Sequence, residues 1–458
     1  MRFRDDGHGE WSSSEHWDVR AQIFCCGIGL LQTPRITRGV PPSLLRLQRE
    51  ALNLPSTARL LLAFVVPYST PTSEEAGILA RRVALGDRGA ADWLRAALRW
   101  GGIDPNSTHP WLNGLSAYSL LCIAAGANAT LSIAELLDAG ADVNWRGVDG
   151  REAALHIAAS EAHVDALELL LARGAAVDMT ASKKAGGAVA LALCATAPDA
   201  RAAACVRALL GAGAAVDRPS DRPSRGSNSR RTVRTALTEV VRCCDATPSL
   251  RCAGVVGALL EGGASLALGG ASLSEGSLLH AACSALSPEV ARTLLAHGAD
   301  PSQRAPRSGK TPLVCAAEAK RGCVSRRGDD ARRAARDTVS ALLRCGAKPD
   351  PVNLYEPAAL FIAAKRGLLD VVLLLLDAGA KLDRVSTEAK TKITGTALFV
   401  AAMEDRSAIV EVLLRRGADS TLAGAVGSGP RETPYGFAKR CRRFNICALL
   451  APLQSVDA

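Results

Sequence analysis

The fold of this chain of 458 residues is decided by one short segment, Leu136-Leu137-Asp138-Ala139-Gly140-Ala141-Asp142-Val143-Asn144. Degraded copies of this segment recur along the sequence. They occupy residues 170–178, 209–217, 259–267, 294–302, 342–350, 375–383 and 413–421. A motif that returns at intervals of 20 to 50 residues predicts a repeat array rather than one globular core.

Each copy has the pattern of a helix end followed by a glycine stop. Two leucines stand four and three residues before the glycine, and a further apolar residue stands seven before it, which in one copy is only Ala291. Apolar residues at this spacing share one face of an α-helix, and glycine tolerates the left-handed backbone that ends a helix. We name each repeat by this glycine: Gly140, Gly174, Gly213, Gly263, Gly298, Gly346, Gly379 and Gly417.

A leucine nineteen residues before most of these glycines marks another helix in the repeat. Two small residues follow that leucine three and four positions later. The pairs are Ala124-Ala125, Ala158-Ala159, Ala282-Cys283, Ala363-Ala364 and Ala401-Ala402. Small side chains on one face let a neighbouring helix approach closely. Each repeat is therefore predicted to be a helix, a turn, a second helix and a loop.

The repeat resembles the ankyrin repeat, which joins a Thr-Pro-Leu-His start of the first helix to a Leu-Leu-x-x-Gly-Ala-Asp-x-Asn ending, with a period of about 33 residues. The start appears as Ala154-Leu155-His156, Leu278-Leu279-His280 and Thr311-Pro312-Leu313. Glycine-to-glycine intervals are 34, 39, 50, 35, 48, 33 and 38, so the longer repeats need insertions. The resemblance implies an all-α solenoid of about nine stacked helix-turn-helix repeats with short β-hairpin or loop fingers.

Two regions follow from this pattern. Residues 1–73 lack the repeat and are expected to be a partly disordered N-terminal segment that contains a helical cap. Residues 74–458 are expected to be the solenoid, with a weaker first copy at 74–106 and a polar C-terminal cap at 433–458. Terminal repeats need such caps because their outer faces meet water. The alternative for residues 1–73 is a docking segment that recruits a ubiquitin ligase, which ankyrin adapters often carry.

Insertions are predicted at two kinds of place. The fingers are lengthened at 218–234 and 384–396, and the turns between paired helices are lengthened near 245–251 and at 320–336. Extra residues there leave the stacking faces unchanged.

The 14 cysteines include no Cys-x-x-Cys pair, which argues against a zinc site and a disulfide framework. Free thiols indicate a reducing compartment. No apolar run approaches the roughly 20 residues of a membrane span, and residues 1–17 do not resemble a signal peptide. We therefore expect a cytoplasmic protein. The basic runs 229–231 and 439–443 resemble nuclear import signals, so residence in the nucleus is the alternative.

The net charge of +10 is concentrated in the fingers, whose segments together carry +12. In the ankyrin family, fingers and first helices line the partner-binding groove. A basic edge would attract an acidic protein segment. The alternatives are that arginine only keeps exposed loops soluble, or that nucleic acid binds. The predicted partner-binding residues are Arg146, Arg151, Lys183, Lys184, Arg222, Arg225, Arg230, Arg231, Arg304, Arg307 and Lys310.

The sequence offers no catalytic or metal-binding constellation, and we expect no cofactor. Gly309-Lys310-Thr311 resembles the end of a phosphate-binding loop, but Arg304 stands where that loop requires its first glycine. The histidines His156 and His280 belong to the repeat signature, in which the imidazole bonds adjacent turns.

The sequence thus predicts a non-catalytic scaffold or adapter that binds a protein through the basic fingers and concave face of a monomeric ankyrin array. The alternatives are a substrate-recognition adapter of a ubiquitin-ligase complex using residues 1–73 and a nucleic-acid-associated regulator.

Overall fold

The computed structural model describes residues 104–110, 117–146, 152–181, 189–197, 200–219, 235–243, 249–267, 276–306, 308–318, 328–350, 358–388 and 391–451, with residues 83, 91, 92, 94, 95 and 98. These residues belong to two compact units. The first comprises residues 1–158 and 163–176, and the second comprises residues 159–162 and 177–458.

The first unit opens with a two-stranded hairpin and continues with helix pairs. Strands β1 (Thr108–Pro110) and β2 (Ala117–Ser119) pair antiparallel, with His109 opposite Tyr118. The helices are α1 (Leu120–Gly126), α2 (Thr130–Asp138), α3 (Ala154–Ser160) and α4 (Val164–Ala172). The last residues of α3, Ala159 and Ser160, are grouped with the second unit.

The second unit contains seven further helix pairs and one small sheet in its described ranges. The helices are α5 (Ala190–Ala195), α6 (Ala202–Gly211), α7 (Ala236–Cys243), α8 (Ser249–Glu261), α9 (Leu278–Ser284), α10 (Pro288–Ala296), α11 (Pro312–Glu318), α12 (Gly328–Arg344), α13 (Ala359–Arg366), α14 (Leu369–Asp377), α15 (Ala397–Met403), α16 (Ser407–Arg415), α17 (Pro434–Arg440) and α18 (Phe444–Leu450). The strands are β3 (Ser386–Glu388), β4 (Ile393–Gly395) and β5 (Ala425–Val426), in the order β3-β4-β5.

The two helices pack together in the pair α1 and α2 and in each repeat of the second unit, where each helix also packs on its counterpart in the next repeat. First helices form one series, in which α9, α11, α13, α15 and α17 are successive neighbours, and second helices form the other. Two of the three predicted apolar positions are fully buried in the copies, as at Ile133, Leu136 and Leu375. The second leucine of each pair is half-buried in most copies, as at Leu137. The predicted ankyrin-type helical repeat is thereby confirmed.

The turn glycines end the second helices as predicted. All eight have positive φ between 84° and 89°. The glycine N–H donates to the carbonyl three residues earlier, and the N–H of the following alanine donates to the carbonyl of the first leucine, as in Ala141 N–H to Leu136 O at 2.9 Å. This is the Schellman end of a helix, which gives partners to carbonyls that the helix leaves unbonded.

A series of hydrogen bonds, which we call the amide ladder, joins successive repeats at six junctions. The fourth residue after the glycine is usually Asp or Asn, and its side chain accepts from the backbone N–H two residues after the next glycine. The bonds run from Asn106 to Asp142 N at 2.9 Å, Asn144 to Ala176 N at 2.7 Å, Asp178 to Ala215 N at 3.1 Å, Asp217 to Ser265 N at 3.1 Å, Asp350 to Lys381 N at 3.0 Å and Asp383 to Asp419 N at 2.8 Å.

Two positions of the amide ladder lack an acid or an amide. Ala267 and Ser302 stand where the Gly263 and Gly298 repeats should supply the acceptor. The ladder therefore has no rung at either of these two junctions. The Asn106 side chain, by contrast, accepts the Asp142 N–H, and the weaker copy at 74–106 stays a prediction.

One predicted insertion has a different structure from the expected loop. Most second helices begin about ten residues before their glycine, whereas α12 begins at Gly328 and runs 17 residues to Arg344. The part of the stretch 320–336 that begins at Gly328 therefore forms two additional helical turns at the start of α12. Ala334 and Ala335 in this part are buried. Alanine and arginine are strong helix formers. Residues 1–73, including the predicted cap and ligase-docking segment, lie outside the described residues.

Candidate functional site

The finger that precedes α11 is held by a buried histidine. His280 on α9 accepts the Ser277 N–H at Nδ1 over 3.1 Å, which leaves its Nε2–H to donate to the carbonyl of Lys310 at 2.9 Å. The finger closes on itself through Ala305 N–H to Lys310 O at 2.9 Å. Burial lowers the pKa of His280, although backbone bonds to Lys310 and Gln303 act in the opposite direction. The imidazole is therefore neutral and links two adjacent repeats through its hydrogen bonds. This is the structural role that the repeat signature implies.

The same finger contains three of the predicted partner-binding residues. Lys310 forms an ion pair with Glu318 at the end of α11, and both side chains are about one-fifth exposed, at 21% and 22%. Arg304 is half-buried. Arg307 lies outside the described residues. The charge of Lys310 is thus compensated inside its own repeat, and any attraction of a partner by this finger depends on the arginines.

Of the other predicted partner-binding residues, Arg146 alone lies in the described part of the chain. Arg146 is exposed, two residues beyond the ladder residue Asn144. The remaining predictions lie outside the described residues: Arg151, Lys183, Lys184, Arg222, Arg225, Arg230 and Arg231. The geometry therefore does not bring the predicted set together as one described surface.

The finger between α14 and α15 folds as the β-hairpin that the resemblance implies. Thr387 lies opposite Thr394, and Glu388 lies opposite Ile393. The third strand joins through Val426 opposite Ile393. Cross-strand partners share a face of the sheet, so Thr387 and Thr394 share the face opposite buried Ile393. Their hydroxyl oxygens are 3.2 Å apart.

An ion pair connects this hairpin to the first helix α13. Lys365 in the last turn of α13 forms an ion pair with Glu388, and the two side chains are 16% and 14% exposed. Burial acts to raise the pKa of Glu388, but hydrogen bonds from Lys365 and Thr391 outweigh it and lower the pKa. The carboxylate is therefore charged at neutral pH and holds the finger onto the helix beneath it.

Exposed lysines that the sequence reasoning missed surround this hairpin. Lys392 stands at the hairpin tip with φ of 51°, and Lys381 is exposed at the preceding turn. The sequence did contain a sign of this hairpin. The segment Thr391-Lys392-Ile393-Thr394-Gly395 places one apolar residue between polar residues and ends in glycine, which favours a hairpin strand.

Within the described ranges, no group of three or more His, Cys, Asp or Glu side chains is placed to hold a metal ion. The described helices also include none with both the length and the apolar character needed to cross a membrane. The buried thiols are structural: burial raises the pKa of Cys122 to about 11.

Comparison with known proteins bears on the repeat directly. A family model described as "Ankyrin repeats (3 copies)" matches residues 331–423, and one described as "Ankyrin repeat" matches residues 152–182. Among solved structures, the human ASB11 ankyrin repeat domain is 26% identical, with a TM-score of 0.42, covering 58% of this chain and 99% of that chain. A search of curated proteins finds no match. The chain therefore contains ankyrin repeats, which are generally non-catalytic protein-interaction modules, at residues 152–182 and 331–423.

Proposed function

We propose that this protein is a binding scaffold that captures an acidic segment of another protein on the basic fingers of its ankyrin repeats. The amide ladder carries the proposal. Its acceptors, such as Asn144 and Asp383, sit at the base of the fingers that have a rung and tie these fingers to the amide of the next repeat. Fingers fixed in register lose little conformational freedom on binding. Little of the free energy of their contacts with a partner is therefore spent on ordering the fingers.

The charge distribution indicates what kind of segment would bind. The predicted finger residues are all basic, and Lys310 among them forms an ion pair with Glu318. A row of guanidinium groups favours carboxylates, which arginine binds through two parallel hydrogen bonds. A basic row also speeds encounter with an acidic partner. Nucleic acid is disfavoured because the finger segments offer few aromatic rings on which bases could stack.

The finger 218–234 provides the sharpest test because it carries the largest net charge, +5. We expect the triple variant Arg225→Glu, Arg230→Glu and Arg231→Glu to lose most partner capture in affinity purification from cells, measured by quantitative mass spectrometry. The fold should persist, because fingers lie outside the stacked helices. Far-ultraviolet circular dichroism checks this.

The control variant carries the same type of change away from the fingers. Arg332→Glu and Arg333→Glu reverse two exposed charges on α12, outside any finger, and should leave capture unchanged. Capture by the finger variant equal to that of the unmodified protein would refute the basic-finger proposal. Equal losses in both variants would show that net charge, rather than the fingers, attracts the partner.

A further inference from the structure

The fingers that precede α15 and α17 are joined into one sheet. Strands β3 and β4 belong to the first of these fingers and β5 to the second, and β4 and β5 pair antiparallel. On its other side, β5 is bonded at Gly424 to Glu432, with N–H to carbonyl distances of 2.9 Å and 2.8 Å. The N–H of Gly427 donates to the carbonyl of Lys392 at 2.9 Å, which connects the two finger tips. We call the three strands together with residues 431–432 the two-finger sheet.

One face of the two-finger sheet, which we call the inner face, lies directly on α15. Gly395 and Gly424 face the ring of Phe399 so closely that neither position has room for a Cβ atom. Ile393, two residues from Gly395 on β4, is buried on the same face. The contact with Phe399 holds the sheet against the helix, so the opposite, outer face has a fixed orientation.

The acids of the two-finger sheet point to its inner face. Glu388 lies opposite Ile393 and forms an ion pair with Lys365 of α13. Glu432 forms an ion pair with Arg440 of α17 at 3.0 Å. Each carboxylate is therefore bonded to a cation of a first helix, beneath the sheet.

The cations of the two-finger sheet are exposed. Arg431 directly precedes Glu432, and successive residues of an extended strand point to opposite faces, so Arg431 points to the outer face. Lys392 stands at the hairpin tip. Both side chains are exposed, and neither forms an ion pair with a residue in the described ranges. The sheet thus turns its acids toward the helices and leaves these bases accessible to a partner.

Hydroxyl groups add hydrogen-bonding capacity to the outer face. Thr387 and Thr394 lie opposite each other and are half-buried, with 3.2 Å between their hydroxyl oxygens. One hydroxyl proton makes this bond, so the other can be donated to a bound carboxylate. Ala425, opposite Thr394 on β5, is small and leaves the face open. A segment lying on this face would meet hydroxyl donors as well as cations.

We propose that the outer face of the two-finger sheet binds the acidic segment of the partner, with Lys392 and Arg431 as the residues that select carboxylates. The inference rests on the proposed function and adds a contact surface that charge counting misses. Arg431 and Glu432 give the finger 421–433 a net charge of zero, although only the arginine faces outward. An acidic protein segment fits better than nucleic acid, because the described residues of the outer face include no aromatic ring on which a base could stack.

The test uses the full chain and a defined probe. A labelled peptide of alternating glutamate and serine, about 12 residues long and so longer than the sheet is wide, is titrated by fluorescence anisotropy. We expect saturable binding that Lys392→Glu together with Arg431→Glu weakens about tenfold, because like charges then meet across the contact. A peptide with glutamine in place of glutamate should bind at least about tenfold more weakly than the acidic peptide.

A matched control reverses two cations outside the two-finger sheet. Lys439 at the end of α17 and Arg442 in the turn after it are exposed. Lys439→Glu together with Arg442→Glu changes the net charge of the chain by the same amount and should leave the affinity for the peptide unchanged. Circular dichroism of each variant checks the fold.

The proposal would be overturned by the absence of saturable peptide binding, by equal affinity of the sheet variant and the unmodified chain, by equal loss in the control variant, or by equal binding of the glutamine peptide. Binding of single-stranded DNA, but not of the acidic peptide, that depends on Lys392 and Arg431 would also overturn it and identify a nucleic-acid surface.

A parallel titration separates this inference from the proposed function. The triple variant Arg225→Glu, Arg230→Glu and Arg231→Glu is titrated with the same peptide. Loss of affinity in the triple variant alone would overturn the role of the two-finger sheet and leave the proposed function standing. Loss in the sheet variant alone would support the two-finger sheet and contradict the finger 218–234 as the main contact.

Discussion

Cysteine shows how one residue type takes different roles at different positions of the repeat. Cys122, Cys194 and Cys283 occupy first-helix positions at which other repeats place small or apolar residues, and all three are buried. Burial raises the pKa of Cys122 and Cys283, and a hydrogen bond with Cys205 together with burial raises that of Cys194. Cys345 and Cys441, in contrast, are exposed. Because the thiolate is the reactive form, these two classes should differ in reactivity.

We predict that iodoacetamide at about pH 8 modifies Cys345 and Cys441 while sparing Cys122, Cys194 and Cys283, because buried thiols with raised pKa stay protonated. Peptide mass spectrometry over time measures each site. Labelling in guanidinium chloride is the control, in which all five should react. Labelling of Cys283 as fast as Cys441 in the native protein would contradict the packing described for α9.

Histidine 280 links stability to pH. Its pKa in the folded protein lies below the ordinary 6.5 because the ring is buried. The unfolded chain therefore takes up this proton first, so the contribution of the neutral ring to stability is complete above pH 6.5 and is lost as the pH falls through the folded pKa.

We expect the free energy of unfolding in urea to fall below pH 6.5 with a slope of up to about 1.4 kcal/mol per pH unit from this one group. Because carboxylates also titrate there, the measurement is the difference from His280→Gln, which lacks the titrating group. Identical pH profiles for the two proteins would show that His280 is not held neutral by its surroundings.

At the scale of the element, the helix ends and helix faces could be predicted from the sequence, and two features could not. The turn glycines with their leucine pairs gave the second helices directly, because helical spacing and left-handed glycine are local properties. The length of α12 was missed because residues 328–336 are charged and resemble a loop by composition, although the alanines and arginines at 331–336 are strong helix formers. The ion pairs of Lys310 and Lys365 were missed because they depend on how a finger folds over a first helix.

The amide ladder gives a prediction at the scale of the element. Replacing Ala267 with aspartate supplies the missing acceptor to the Asp300 N–H, so the free energy of unfolding should rise by about 0.5–1.5 kcal/mol. Asp217→Ala removes an existing acceptor from Ser265 N–H and should lower it by about 1 kcal/mol. Urea unfolding measures both changes. Suppose that Ala267→Asp left the free energy of unfolding unchanged while Asp217→Ala lowered it. An aspartate at position 267 would then be unable to reach the Asp300 N–H, and the geometry of the junction after Gly263 would differ from that of the other junctions.

At the scale of the whole molecule, the helical class and the general role could be predicted, whereas the binding surface could be predicted only as a charge pattern. Most of the predicted finger residues, such as Arg225, lie outside the described residues.

Ionic strength should affect partner capture by the basic fingers. Between about 0.1 M and about 1 M salt the Debye length falls from about 10 Å to about 3 Å. Capture through the fingers should therefore decline steeply over this range, and pull-down across a salt series measures the decline. A salt-independent finger interaction would mean that its contacts are not ionic.

The junction between the Gly263 and Gly298 repeats lacks two links that other junctions have. Ala267 provides no rung, and the buried hydroxyl of Ser287 finds no hydrogen-bond partner at the turn, where His163 and Arg443 each reach a carbonyl of the preceding repeat. Under mechanical tension, such as pulling in an optical trap, this junction should part at lower force than its neighbours. Rupture would then leave the repeats from Gly298 onward intact as a separate block, with their fingers still in place.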